Sequence, residues 1–181
     1  MKVLLTGATG FIGQYVLSVL NRKGIEVVVV GRSAPRQGEF SFINADLLSL
    51  DSFSDLVKQA DASHLVHLAW YAEHGQYWHS LLNLRWVEAS VNLVEAFCQQ
   101  GGQKIVITGT CAEYDWDEGF CREDHSRLRP NTFYGAAKHA TRRLTEKIAA
   151  DYECSSSWGR IFMSYGEGED KRRLIPSLIS A

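Results

Sequence analysis

Residues 6–13 read Thr-Gly-Ala-Thr-Gly-Phe-Ile-Gly and follow the apolar run Val3-Leu4-Leu5 close to the start of the chain. From Phe11 to Arg22, apolar side chains at 12, 16, 17, 19 and 20 suit one face of a helix. The order is therefore strand, glycine turn, helix. Gly7 lets the chain turn sharply off the strand, Gly10 leaves no side chain between backbone and ligand, and Gly13 lets the helix lie close to the sheet. The helix start offers free N–H groups and a partial positive charge, which suit a pyrophosphate. Thr9, Phe11 and Ile12 join the three glycines as candidate binding residues.

The same alternation runs down the chain. Ile25–Val30, Phe40–Ile43, Ser63–Leu68, Lys104–Ile107 and Ser156–Met163 read as strands. Between them, Ser52–Gln59 (capped by Ser52), Asn83–Gln99 (apolar at 84, 87, 91, 94 and 97) and a segment opening at Pro130 read as helices. This predicts an α/β fold of Rossmann type: a doubly wound parallel sheet with helices on both faces and its ligand beyond the strand C-terminal ends. Residues 1–168 form the expected dinucleotide-binding domain, and 169–181 the start of a C-terminal substrate lobe. The helical pattern from Leu174 to Ala181 stops without a C-cap glycine, so the chain reads as cut short.

The second strand ends at Gly31-Arg32-Ser33, where an acidic residue would bond ribose hydroxyls and an arginine suits a 2′-phosphate. Arg32, with Ser33 and Arg36 near it, therefore favours NADP(H) over NAD(H). Asp46, followed by Leu47, suits either an adenine amino group or the cap of its own turn. Leu68, Ala69 and Trp70, at the fourth strand end, border the expected cleft. Residues 70–78 are rich in aromatics and suit a pocket wall, a partner surface or internal packing.

Thr110 lies after the fifth strand, where catalytic groups of α/β enzymes sit. Tyr134 and Lys138 are four apart on one helix, so both emerge from one face. A neighbouring ammonium stabilises a phenolate, so Lys138 is expected to lower the pKa of Tyr134 and make it a usable acid or base.

Composition removes other classes. A formal charge of −2 over 181 residues gives no field for nucleic acid or an anionic membrane. No stretch approaches the roughly 18 apolar residues of a membrane span, and the chain opens directly in a strand, so a cytoplasmic protein is expected. Cys98, Cys111, Cys121 and Cys154 are widely spaced and read as reduced thiols, not as a zinc site or disulfide framework. His64 with His67, and His74 with His79, lack partner ligands, so no metal is expected.

Taken together, the 6–13 motif, Thr110 at a strand end and Tyr134-x-x-x-Lys138 resemble the extended short-chain dehydrogenase/reductase family, the NAD(P)-dependent sugar-nucleotide epimerases, dehydratases and reductases. Asp46-Leu47, His67-Leu68-Ala69 and Arg160-Ile161-Phe162 match as well, which adds Ile161 and Phe162 to the implied cofactor contacts. The resemblance gives the catalytic roles to Thr110, Tyr134 and Lys138, has Lys138 also hold ribose hydroxyls, and places Asn83 as a looser fourth member. The dehydratase subgroup carries Asp-Glu after the threonine where this chain has Cys111-Ala112. The implied activity is NADPH-dependent reduction of a nucleotide-linked 4-keto-6-deoxyhexose. The alternatives are a 4-epimerase using bound NAD and, from another class, a non-catalytic NADP(H) sensor or regulatory protein. The resemblance also implies a homodimer through the helices at 83–99 and 134–151. Trp86 and Leu144 there suit either an interface or burial within the monomer.

Overall fold

The computed structural model describes residues 1–117 and 119–180. Six strands, β1 (Lys2–Thr6), β2 (Glu26–Gly31), β3 (Ser41–Asn44), β4 (His64–His67), β5 (Lys104–Thr110) and β6 (Ser155–Ile161), form one parallel sheet in the order β3-β2-β1-β4-β5-β6. The order reverses between β1 and β4. A crevice opens there beyond the strand ends, because the connections leave to opposite sides.

Helices α1 (Phe11–Arg22), α2 (Phe53–Ala60), α3 (Leu82–Gln99) and α4 (Phe133–Asp151) connect the strands, and α5 (Leu174–Ile179) closes the described chain. Alternate residues of each strand face opposite sides. Val3, Leu5, Val27 and Val29 pack beneath Leu17 of α1. Leu4, Val28, Val30, Leu65, Ile105 and Ile107 pack against Leu56 and Val57 of α2, Leu93, Val94 and Phe97 of α3, and Ala149 of α4. The central strands are thus apolar on both sides, as the valine runs predict.

Local signals set the helix starts. Ser52 accepts the Asp55 N–H at 3.1 Å and begins α2, while Thr132 accepts the Gly135 N–H at 3.0 Å and begins α4 two residues after Pro130. β5 runs three residues past the predicted Ile107, because β6 stays in register with it as far as Thr110 opposite Ile161. That extension carries Thr110 to the crevice.

Candidate active site

Gly7 takes φ 74°, and a Cβ there would lie 2.6 Å from the Ala69 nitrogen. At Gly13, a Cβ would overlap the Gly7 carbonyl and Ala8. The turn is closed by Gly10 N–H donating to the Gly7 carbonyl at 3.1 Å. Gly10 is also the N-cap of α1 and has no side chain with which to satisfy the first-turn N–H groups.

The turn opens on a cleft of about 880 Å³. Its lining includes Gly7, Thr9, Gly10, Phe11, Ile12, Gly13, Arg32, Asp46, Leu47, Leu68, Ala69, Trp70, Thr110, Tyr134, Lys138, Ile161 and Phe162, all named from the sequence. Asp46 Oδ1 accepts the Leu48 N–H at 3.0 Å, a bond within its own turn. Arg32 is exposed at the cleft end of β2. Asn83 does not line the cleft; its buried amide donates to the carbonyls of Tyr77 (2.7 Å) and Ser80 (2.9 Å) and accepts from Trp70 Nε1 (2.8 Å). Trp86 stacks on Trp70 at 6.0 Å and forms cleft wall, whereas Leu144 is exposed.

Tyr134 lies among aromatic rings, with Tyr77 at 4.8 Å, Trp78 at 5.7 Å and Trp70 at 6.4 Å between centroids. Burial there pushes its phenol up to about 12, with the Thr110 hydroxyl an influence that pulls the other way. Lys138 Nζ donates to the Thr108 carbonyl at 2.9 Å and sits 3.9 Å from the Trp70 ring centroid. Burial drops this ammonium to about 7, with Glu113 the opposing influence. The expectation that Lys138 lowers the Tyr134 pKa is therefore corrected. Spacing along a helix brings two side chains to one face, but burial of both decides their protonation.

Two buried polar networks flank these residues. Beneath the glycine turn, Thr6 Oγ1 accepts the Ala69 N–H at 3.2 Å and lies 2.7 Å from His67 Nδ1, whose Nε2 is 2.9 Å from Ser90 Oγ. Burial, then the Lys138 charge, lowers the His67 pKa to about 3, so the ring is neutral. Behind Thr110, the Glu113 carboxylate is 0% exposed. Its Oε1 accepts the N–H groups of Thr110 (3.0 Å) and Trp158 (2.9 Å), and its Oε2 that of Arg160 Nε (3.4 Å).

Glu73 and His74, within the 70–78 stretch that suits a pocket wall, line the cleft, while sequence reading missed the wall supplied by Glu169, Asp170 and Arg173. Residues 166–173 lie back against this domain: Tyr15 Oη donates to the Glu167 carbonyl at 2.7 Å, and Arg172 pairs with Glu73 at 2.9 Å. No periodic signal marks such contacts. Among the described residues, no group of three or more His, Cys, Asp or Glu could hold a metal ion, no helix is long and apolar enough to cross a membrane, and all four cysteines are free.

Strand order, glycine turn and cleft at the switch point define a Rossmann-type α/β protein with a dinucleotide-sized groove. The sequence model of the NAD dependent epimerase/dehydratase family matches residues 3–181, and the chain belongs to that family. It is 27% identical to the dTDP-6-deoxy-L-talose 4-dehydrogenase (NAD(+)) of Aggregatibacter actinomycetemcomitans, over 100% of this chain and 68% of the relative. Among solved structures it is similar to MoeE5 in complex with UDP-glucuronic acid and NAD (TM-score 0.83, 32% identity, 99% of this chain and 60% of the other). The UDP-glucose 4-epimerase of Thermus thermophilus, solved as a complex with NAD, is also similar (TM-score 0.83, 26% identity, 95% and 58%). The chain thus spans about three fifths of the length of these solved relatives.

Proposed function

We propose that this protein reduces a nucleotide-linked 4-keto-6-deoxyhexose with a nicotinamide dinucleotide. The observation that carries this reading is the convergence of Thr110, Tyr134 and Lys138 on the cleft that the glycine turn opens. The residues fit a dinucleotide: the uncapped start of α1 suits the pyrophosphate, Leu47 and Asp46 line the adenosine end, and Trp70, Ile161 and Phe162 line the other. When bound, the reduced nicotinamide supplies a hydride to the carbonyl carbon. Tyr134 Oη gives a proton to the carbonyl oxygen, and the Thr110 hydroxyl bonds that oxygen as charge develops.

Reduction needs Tyr134 to start protonated. A phenol near 12 holds its proton at neutral pH and can act as an acid without prior ionisation. Arg32 and Ser33 on the cleft, with no Asp or Glu among residues 31–33, support NADP(H) through a 2′-phosphate contact.

A second reading, 4-epimerisation with tightly held NAD, is favoured by the similarity to the Thermus thermophilus epimerase solved with NAD. Because the curated and solved relatives are longer than this chain, substrate and activity are inferred from them and from the cleft. A homodimer through α3 and α4, with exposed Leu84 and Leu144 at its face, belongs to the same proposal.

Calorimetric titration with NADPH and with NADH tests the cofactor, and dinucleotide oxidation with a dTDP-linked 4-keto-6-deoxyhexose tests the reaction. The expected result is tighter NADPH binding that falls about tenfold in Arg32→Ala, the loss of one charge-assisted contact. Tyr134→Phe is expected to lose turnover by at least about 100-fold with dinucleotide binding retained. NADH binding preferred in both the parent and Arg32→Ala would end the NADP(H) assignment, and unchanged turnover in Tyr134→Phe would end the proton-transfer scheme.

A further inference from the structure

Glu113 is a fully buried carboxylate joined to three elements that meet behind the reaction site. Its Oε1 takes the backbone N–H of Thr110, at the end of β5, and the indole N–H of Trp158, on β6. Its Oε2 takes Arg160 Nε, also on β6, and lies 3.7 Å from His139 Nδ1 on α4. Arg160 is in turn held by Tyr114, through a 3.2 Å bond to the phenol oxygen and a 4.8 Å approach over its ring. Taking a carboxylate out of water costs several kcal/mol unless pairing and hydrogen bonds offset it, so apolar packing would fill this space more simply. The charge needs another reason, and the geometry gives one.

Thr110 begins a single 3-10 turn, Cys111–Glu113, in which its own Oγ1 accepts the Ala112 N–H at 3.2 Å. With a lone pair of Oγ1 spent on Ala112, the hydroxyl hydrogen is left for an oxygen in the cleft. Glu113 closes the box from the far end by accepting the Thr110 N–H. The turn also bears on α4, since a Cβ at Gly135 would run into the Ala112 carbonyl. Gly135 adjoins Tyr134, so the turn that aims Thr110 also seats the tyrosine. Behind it there is no slack: a Cβ at Gly109 would meet both Trp158 Nε1 and Glu113 Oε1.

We propose that Glu113 is a positioning residue, whose buried carboxylate fixes Thr110 so that its hydroxyl and that of Tyr134 address one oxygen. This rests on the reading above that these two hydroxyls serve the reacting carbonyl. Glu113 touches neither substrate nor cofactor; it acts through the Thr110 amide and through the turn against which α4 is seated.

The test pairs amide hydrogen exchange of Thr110 with turnover, in Glu113→Ala and Glu113→Gln. In the alanine variant, exchange at Thr110 is expected to rise about tenfold while Ile105 and Ile107 keep their protection, as the loss of one hydrogen bond predicts. In the NADPH and dTDP-linked keto-sugar assay, kcat is expected to fall about 100-fold, the scale set by removing one oxyanion donor, with the KM for NADPH unchanged. Glutamine keeps an acceptor for the Thr110 N–H, so it is expected to hold exchange at the parent rate and kcat within about fivefold of it. If the alanine variant does not fold, Glu113→Leu with Arg160→Leu replaces the buried pair with apolar groups and removes the same acceptor.

Unchanged Thr110 exchange in the alanine variant, or in Glu113→Leu with Arg160→Leu, overturns the proposal, as does lost protection with parent kcat. A parent protein that turns over no keto sugar defeats the functional reading instead, while the exchange result still decides whether Glu113 holds Thr110.

Discussion

The two polar networks buried beneath the cleft solve the same problem with different chemistry. Under the glycine turn, Thr6, His67 and Ser90 form a chain of neutral groups: an imidazole with one donor and one acceptor lies between two hydroxyls that can satisfy either tautomer. Behind Thr110, Glu113 and Arg160 are a charged pair, with Trp158 and the Thr110 amide completing the carboxylate's bonds. The neutral chain supports a static object, the turn that must receive a ligand without moving. The charged pair supports a hydroxyl that must be aimed, and ionic acceptors bind N–H donors more tightly and with sharper direction than neutral ones. Proteins tolerate neutral buried polar groups cheaply once paired, whereas a buried charge makes its whole surroundings dependent on its partner.

That dependence gives the largest expected effect. Arg160→Met leaves Glu113 without its cationic partner, and urea unfolding is expected to show a loss of about 3–5 kcal/mol. A loss below about 1 kcal/mol would show that the two networks are alike and that water or His139 can replace the guanidinium.

The neutral network is sharpened by acid. His67 is held neutral down to about 3 in the folded protein, while in the unfolded chain it takes a proton near 6.5. The unfolded state therefore binds more protons between these values, so this residue's contribution is complete above pH 6.5 and is lost as pH falls toward 3. The slope is about 1.4 kcal/mol per pH unit, or about 2 kcal/mol lost by pH 5. Unfolding curves of the protein and of His67→Gln, taken across this range, isolate it; equal slopes in the two would mean that His67 is charged in the fold.

The smallest substitution effect concerns the residue between the networks. Lys138, lowered to about 7 by burial, binds fewer protons folded than unfolded between pH 7 and 10.5, so the protein is expected to gain stability as pH rises through that window. Lys138→Met removes the burial cost but leaves the Thr108 carbonyl without its donor, for a net gain of about 1 kcal/mol at pH 7 and a loss of turnover. Thermal melts at pH 7 and pH 10 check both signs.

How much of this could be read from the sequence depends on how local the physics is. The turn, α1 and the Ser52 cap were legible because a few neighbouring residues determine them. The strand sequence, valine runs alternating with helical patterns, gave the parallel sheet for the same reason. The Tyr134 and Lys138 spacing placed both on one face correctly but gave the wrong electrostatics, since Trp70, Tyr77 and Trp78 come from elsewhere to dry the site. Trp86 stacks on Trp70, sixteen residues away, a contact that no spacing rule announces. His67 with Ser90, and Glu113 with Arg160, are separated by 23 and 47 residues, and no spacing rule connects them. Only the strand order brings them together.

The strand order leaves β6 at one margin of the sheet. Among the described residues no strand pairs with its outer side, so a row of main-chain donors and acceptors faces outward over seven residues. Such a margin is a template on which a second molecule can nucleate a shared sheet. Here it begins with Ser155-Ser156-Ser157, all exposed, in place of the branched apolar residues that reward cross-strand contact. Lateral growth therefore gains hydrogen bonds already available from water and little apolar burial. The serine run thus gives pairing along this strand hydrogen bonds without apolar reward.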